Sequence, residues 1–254
     1  MKTTSPFSLP KETLKENRLI KKTIPYFVEN IFGRYHQPYI FSPLVSSGDI
    51  EVYLSKKHRF YVETLFHNSE SYVFWRQASS PAYNKLLRYE LMRCLPYSTK
   101  ALEDASRGIL DTTSTINGSM SYYVAMQSRY NLMLGIENGF PDKPIPNITL
   151  DQITKLADLT YHKLELQFLT ELNPIEYYDE HFVFIDLREI DNPFLFNNNQ
   201  AEIYQYLNDI IQYRDNFCII GSEDQYKLLP YGAKLKISSK NFLFLSESVQ
   251  SYFG

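Results

Sequence analysis

Arg76, the triplet Thr112-Thr113-Ser114 and Glu223 are the residues of this chain whose types and order could do chemistry together. A guanidinium pairs bidentately with a phosphate. Hydroxyls hold a sugar by hydrogen bonds. A fixed carboxylate stabilises positive charge that develops as a glycosidic bond breaks. The segment VFWRQAS places Arg76 at the end of an apolar strand, and GILDTTSTI places the triplet at the end of another. GSEDQYKLLPYGAKLKI places Glu223 where a strand begins, followed by an apolar pair, Pro230, a turn at Gly232 and a second strand. Tyr72, Phe74, Trp75 and Tyr226 would wall a flat ring.

The other reactive types are dispersed. His36, His58, His67, His162 and His181 are scattered along the chain, and His162 with Glu165 forms a single i, i+3 pair. A carboxylate-bridged metal pair needs that spacing twice and two further glutamates, so no metal is expected. Cys94 falls on an apolar helical stripe and Cys218 inside the apolar strand FCII, where a thiol stays protonated. Two cysteines make neither a disulfide framework nor a four-thiolate zinc site. The 9 glycines include no G-x-G, which removes the glycine-rich phosphate cradles.

The elements that must position these residues follow from periodicity and punctuation. Residues 1–10 read as a loose polar arm. Residues 11–33 read as helix, with Pro25 able to open a second helix and Gly33 to stop it. Segment 36–47 reads as loop. Alternation in 49–54 and the aromatic, β-branched run 59–66 predict a hairpin, and 72–76 a third strand. Ser80-Pro81 opens a helix that ends at Pro96. Residues 108–116 read as strand and turn, 119–130 as a short helix and 131–136 as strand. Thr149-x-x-Gln152 is a capping box that starts a helix reaching 172. Strands are expected at 181–187, 217–220, 225–229, 234–237 and 241–245, with a helix at 201–214. Runs of strands and helices without strict alternation predict α+β: one main domain on a mixed, mostly antiparallel sheet with flanking helices.

The order Arg76, Thr112-Thr113-Ser114, Glu223 and the run LLPYGAKLKI resemble the Arg-Ser-Glu mono-ADP-ribosyltransferase toxins and bacterial effectors over residues 71–254. Residues 1–70 would then be an N-terminal helical and hairpin extension. In that family a Glu-x-Glu or Gln-x-Glu opens the strand, whereas Gly221 stands two before Glu223 here. The resemblance implies an ADP-ribosyltransferase-like fold and an enzyme that moves ADP-ribose from NAD, used as substrate, to a protein side chain. It assigns Arg76 to the phosphate and ribose of NAD, Thr113 and Ser114 to orienting the nicotinamide ribose, and Glu223 to stabilising the oxocarbenium centre. Gln225 would face the acceptor. Glu165 is the alternative carboxylate, nearer in sequence but on the expected helix. An NAD hydrolase would use the same site without a protein acceptor.

Composition narrows the setting. The chain has 254 residues, 44% hydrophobic and 22% charged, long enough for one large core and not disordered in composition. A net charge of −3 and dispersed cations argue against nucleic acid as a partner. No apolar run reaches membrane-span length, and the start MKTTSPFSLPKETLKENR lacks the apolar core of a secretory signal. The expectation is a soluble, cytoplasmic protein; the resemblance adds delivery into a host cell, with a host protein as acceptor. The reading from another class is a non-enzymatic interaction module. It would use the Tyr-rich helices YYVAMQSRY and IYQYLNDIIQYR as a binding face.

Overall fold

The computed structural model describes residues 4–33, 39–58, 60–107, 115–161, 164–168, 181–192, 200–212, 215–226 and 233–251. Helix α1 (Lys11–Phe32) is one continuous helix. It buries Ile20, Ile24, Phe27 and Val28 along one stripe, carries Pro25 internally, and ends at Gly33, whose φ of 79° is open to glycine at no steric cost. Strand β1 (Tyr39–Ser42) follows, then α2 (Asp49–Tyr53) extended by a π turn over Leu54–His58, and β2 (Tyr61–Phe66). Helices α3 (Ser69–Ser79), α4 (Pro81–Arg93), α5 (Thr99–Ser106), α6 (Thr115–Glu137) and α7 (Leu150–Thr154) come next, the last running into a 3-10 turn at Lys155–Tyr161. Then come β3 (Leu164–Phe168), β4 (His181–Asp186), α8 (Gln200–Gln212), β5 (Phe217–Ser222), α9 (Glu223–Tyr226), β6 (Ala233–Lys236), β7 (Asn241–Leu245) and α10 (Glu247–Ser251).

Among the described residues the strands form one seven-stranded mixed sheet in the order β3-β2-β1-β4-β5-β7-β6. The pairs β1–β2, β2–β3, β1–β4 and β4–β5 are parallel; only β7 runs against its neighbours β5 and β6. The expected mixture of helices and a mixed sheet is present, but the sheet is mostly parallel rather than mostly antiparallel. The reason lies in the connections. Among the described residues, helices lie between β1 and β2, between β2 and β3 and between β4 and β5, as a crossover requires. The central strands β4 and β5 are apolar and buried almost end to end, the pattern of strands covered on both faces. Phe41, Val183, Ile185, Ile219 and Phe244 join one core cluster with α3–α6 and α8; Ile40, Phe182, Phe184, Cys218 and Ile220 join a second with α1 and α2. Residues 1–70 contribute β1 and β2 to this sheet, so the expected N-terminal extension is part of the same body.

Several segments change type for traceable reasons. Ile50, Val52 and Leu54 alternate, yet Ile50, Tyr53 and Leu54 are also spaced i, i+3, i+4, and this helical set is the one packed into the second cluster. Ser71, Phe74, Trp75 and Ala78 repeat at i, i+3, i+4, i+7, and the Asn68 side chain caps the amides of Glu70 and Ser71; 72–76 is therefore helix, not strand. Residues 131–136 continue α6. The capping box at Thr149 forms as expected, but its α-helix ends at Thr154, and Glu165 sits on strand β3 opposite Glu63. Strand β1 lies within the segment read as loop.

Candidate ligand crevice

In an open sheet of mainly parallel strands, ligands bind outside the carboxyl ends of the strands where the order reverses. Here that point lies between β1 and β4, since β2 follows on one side of β1 and β5 on the far side of β4. The turn leaving β1 reads Pro43-Leu44-Val45-Ser46-Ser47-Gly48, and Leu44 to Ser47 are buried. Gly48 has φ 68°, and a Cβ there would lie 2.2 Å from Cη2 of Trp75. The six-membered ring of the Trp75 indole, from α3, thus fills the space beside Gly48. His67, just past β2, places a ring nitrogen 2.7 Å from the carbonyl of Pro43, and burial lowers its pKa.

Residues 4–9 pack at the same end of the sheet, so this part of the expected loose arm is fixed. The amides of Thr4 and Ser5 donate to Asp49 Oδ1 at 2.6 and 2.9 Å, the Thr4 hydroxyl donates to the Asp49 carbonyl at 2.6 Å, and the Ser5 hydroxyl to the Ser47 carbonyl at 3.0 Å. Phe7 is fully buried and stacks on Phe74 and Tyr123, each centroid 5.7 Å away. Burial of such a ring contributes about 1.5–3 kcal/mol toward holding the arm.

Behind the arm lies a buried ionic cluster. Lys21 Nζ is 2.7 Å from Asp49, and Asn17 donates to its other oxygen at 2.9 Å. Burial alone would raise the Asp49 pKa; Lys21, Asn17 and the Thr4 amide outweigh it and hold the carboxyl below its usual range. Arg188, just past β4, grips both oxygens of Asp186 at 2.9 and 2.6 Å and reaches Glu16 and Asn17, each at 2.9 Å. Glu51 is fully buried and accepts from the Ser42 hydroxyl at 2.9 Å; burial, then the carboxylates of Asp186 and Asp49, push it up to about 7. Lys21 thus pairs with Asp49, and Arg188 with Asp186 and Glu16, while Glu51 is held by the Ser42 hydroxyl.

The expected site residues fall elsewhere. Arg76 is not at a strand end: it lies in the last turn of α3 and is exposed. Glu223 opens α9 beyond β5, is 57% exposed and pairs with Lys234. Strands β2 and β5 are three positions apart, roughly 14 Å, and the Arg76 turn lies about 10 Å further along α3 from its start. The described elements do not bring these two into the switch-point crevice. Gln225 closes the turn after β5, its side chain accepting from the Ser222 amide at 2.9 Å and donating to the Leu187 carbonyl at 2.8 Å. Thr112, Thr113 and Ser114 lie outside the described residues. Tyr122, Tyr123, Tyr130 and Tyr206 are buried, so most of the Tyr-rich helices' rings belong to the core and not to a binding face.

Among the described residues, no group of three or more His, Cys, Asp or Glu could hold a metal ion. None of their helices is long and apolar enough to cross a membrane. The sequence read in isolation missed the crevice because its signals are polar residues in unrelated segments. Asp49, Asp186 and Arg188 meet only once β1 and β4 are neighbours. Compared with known proteins, the chain matches no protein-family model and no curated protein.

Proposed function

We propose that this chain is a non-enzymatic binding module on a doubly wound scaffold. The observation that carries the reading is the closure of the switch-point crevice by the chain's own groups: Trp75 against Gly48, and the arm residues Thr4, Ser5 and Phe7 anchored on Asp49 and the aromatic core. The order reverses between β1 and β4, as in a doubly wound dinucleotide-binding sheet, a likeness of topology alone. The residues present do not fit a dinucleotide. Close approach of a ligand to the turn after β1 needs the space that the indole fills. An acidic residue near the end of β2 is what binds a ribose in this architecture, and His67 stands there bonded to Pro43.

The ADP-ribosyl transfer implied by the sequence resemblance has less support, with Arg76 exposed on a helix and Glu223 ion-paired to Lys234. One experiment separates the two. The pure protein and its Glu223→Ala variant are incubated with biotin-labelled NAD and a eukaryotic lysate, and protein labelling and nicotinamide release are followed. A binding module gives neither signal. Labelling that is lost in Glu223→Ala overturns the reading and establishes the transferase; nicotinamide release without labelling overturns it in favour of a hydrolase.

A further inference from the structure

The arm of residues 4–9 is fastened differently at its two ends. At one end the Thr4 and Ser5 amides donate to the Asp49 carboxylate at 2.6 and 2.9 Å. Lys21 Nζ lies 2.7 Å from the same carboxylate and donates to the Thr4 hydroxyl at 3.3 Å. At the other end the Ser8 amide donates to Gln127 at 3.1 Å, and Gln152 donates to the Ser8 hydroxyl at 3.0 Å. Phe7 is buried between them. The second fastening is neutral. The first belongs to an ionic cluster in which Glu16, Asp49, Glu51 and Asp186 stand against the cations Lys21 and Arg188. Asp49 pairs with Lys21, and Glu16 and Asp186 pair with Arg188. Glu51 has no ion-pair partner among the described residues and accepts from the Ser42 hydroxyl of β1. The charged groups within its electrostatic reach are Lys21 of α1, Asp49 of its own helix and Asp186 of β4. Strand β5 adds the Cys218 thiol, within reach of Asp186 and pushed up by burial. Ionising Glu51 would set a fourth carboxylate against two cations, so its proton is the exchangeable charge of the cluster.

We infer that residues 4–9 are a proton-gated strap: proton loss from Glu51 weakens the fastening on Asp49 and raises the fraction of molecules in which the arm is lifted from the sheet. This goes beyond the reading of the chain as a binding module and does not rest on it. An ionised, buried Glu51 repels Asp49 and competes with it for Lys21. Lifting the arm frees the Asp49 carboxylate and admits water to the cluster. The sign follows from linkage. With the arm down, Glu51 holds its proton up to about pH 7; in water a glutamate releases it near 4.5. The lifted form therefore binds fewer protons between these values, and lifting is favoured as pH rises. For a Glu51 fully returned to water, the lifted fraction grows about tenfold from pH ~6 to pH ~8. Asp49 is held below its usual range and does not titrate in this window. Lys21, lowered by burial, acts with the opposite sign, so a variant at Glu51 isolates the gate.

The test is cleavage of the full chain by chymotrypsin after Phe7, a side chain that is fully buried while the arm is down. At low protease the cleavage rate follows the lifted population. Each rate is divided by that of a free peptide of residues 1–10 at the same pH, which removes the pH dependence of the protease. The normalised rate should rise about tenfold between pH ~6 and pH ~8 in the parent. It should not rise in Glu51→Gln, which keeps an acceptor for Ser42 and has no proton to lose. Asp49→Asn, which weakens the fastening itself, should already be cleaved faster than the parent at pH ~6. The inference is overturned by a flat profile in the parent, by an equal rise in Glu51→Gln, or by unchanged cleavage in Asp49→Asn. It is also overturned if cleavage after Phe7 never precedes fragmentation of the rest of the chain, since the arm would then be released only by global unfolding. If Glu51→Gln does not fold, the parent profile and Asp49→Asn decide.

Discussion

Replacing Glu51 with Gln should make the protein more stable, and only at neutral and alkaline pH. Glu51 is fully buried on α2 beside Ser42, within electrostatic reach of the Asp186 and Asp49 carboxylates. Its pKa is raised from 4.5 to about 7, by burial first and then by those carboxylates. Between these values the folded chain holds a proton that the unfolded chain has released, so stability falls as pH rises. The gap corresponds to about 3 kcal/mol, fully expressed above pH ~7 and absent below pH ~4.5. Glutamine keeps an oxygen to accept from Ser42 and has no proton to lose. The variant and parent should therefore differ by less than about 1 kcal/mol at pH ~5, and the variant should gain up to about 3 kcal/mol at pH ~8.5. For a chain of this size that is a rise in Tm of about 6–12 °C. Scanning calorimetry of both proteins across that range is the assay. Asp49 acts with the opposite sign: its lowered pKa gives stability that is present above its unfolded value and lost at more acidic pH, outside this window. A parent–variant difference that does not change with pH, or a Gln variant less stable at pH ~8.5, would refute the reasoning.

Three further perturbations bear on the closed crevice. Gly48→Ala places a methyl into the Trp75 ring at a left-handed φ and should cost about 2–4 kcal/mol by urea unfolding. In the Trp75→Ala background the same change should cost clearly less, so the double-mutant cycle gives a coupling of about 1–3 kcal/mol; strict additivity would mean that the contact is not what excludes the side chain. Phe7→Ala should cost about 3–5 kcal/mol and expose the arm to limited proteolysis ahead of α1. Arg188→Ala leaves Asp186 and Glu16 buried without their cation and should cost about 3–5 kcal/mol, with part of the loss recovered in Asp186→Asn/Arg188→Ala.

Much of the fold could be read wherever one period or one cap dominates. The stripe Ile20, Ile24, Phe27, Val28 gave α1, Pro81 at N1 gave α4, and the apolar run HFVFID gave β4. Where two periods coexist, tertiary packing decided. At 49–54 alternation and helical spacing were both satisfied, and the need to bury Tyr53 and Leu54 beside α1 selected helix. YVFWR is rich in strand-forming residues, yet the Asn68 cap starts a helix whose Phe74 and Trp75 reach the core. The error at α3 carried Arg76 with it, since a strand end aims a side chain at the sheet's edge and this helix turn aims it at solvent. The crevice was not legible because its members are distant in sequence and individually ordinary: Thr4 and Ser5 meet Asp49, and Arg188 meets Glu16. Parallel pairing was equally hidden, because it depends on which strand each helix returns to rather than on any local pattern.

Trp75, the single tryptophan, rests on the turn where a cofactor would have to approach, so its own emission tests the closed crevice most directly. The full chain is titrated with NAD to millimolar concentration, with excitation beyond adenine absorption. With the crevice filled by Trp75 and the arm, the emission should stay unchanged in wavelength and corrected intensity. A saturable shift or quench at micromolar ligand, accompanied by a rise in Tm, would contradict the closed crevice and return the chain to the enzymes.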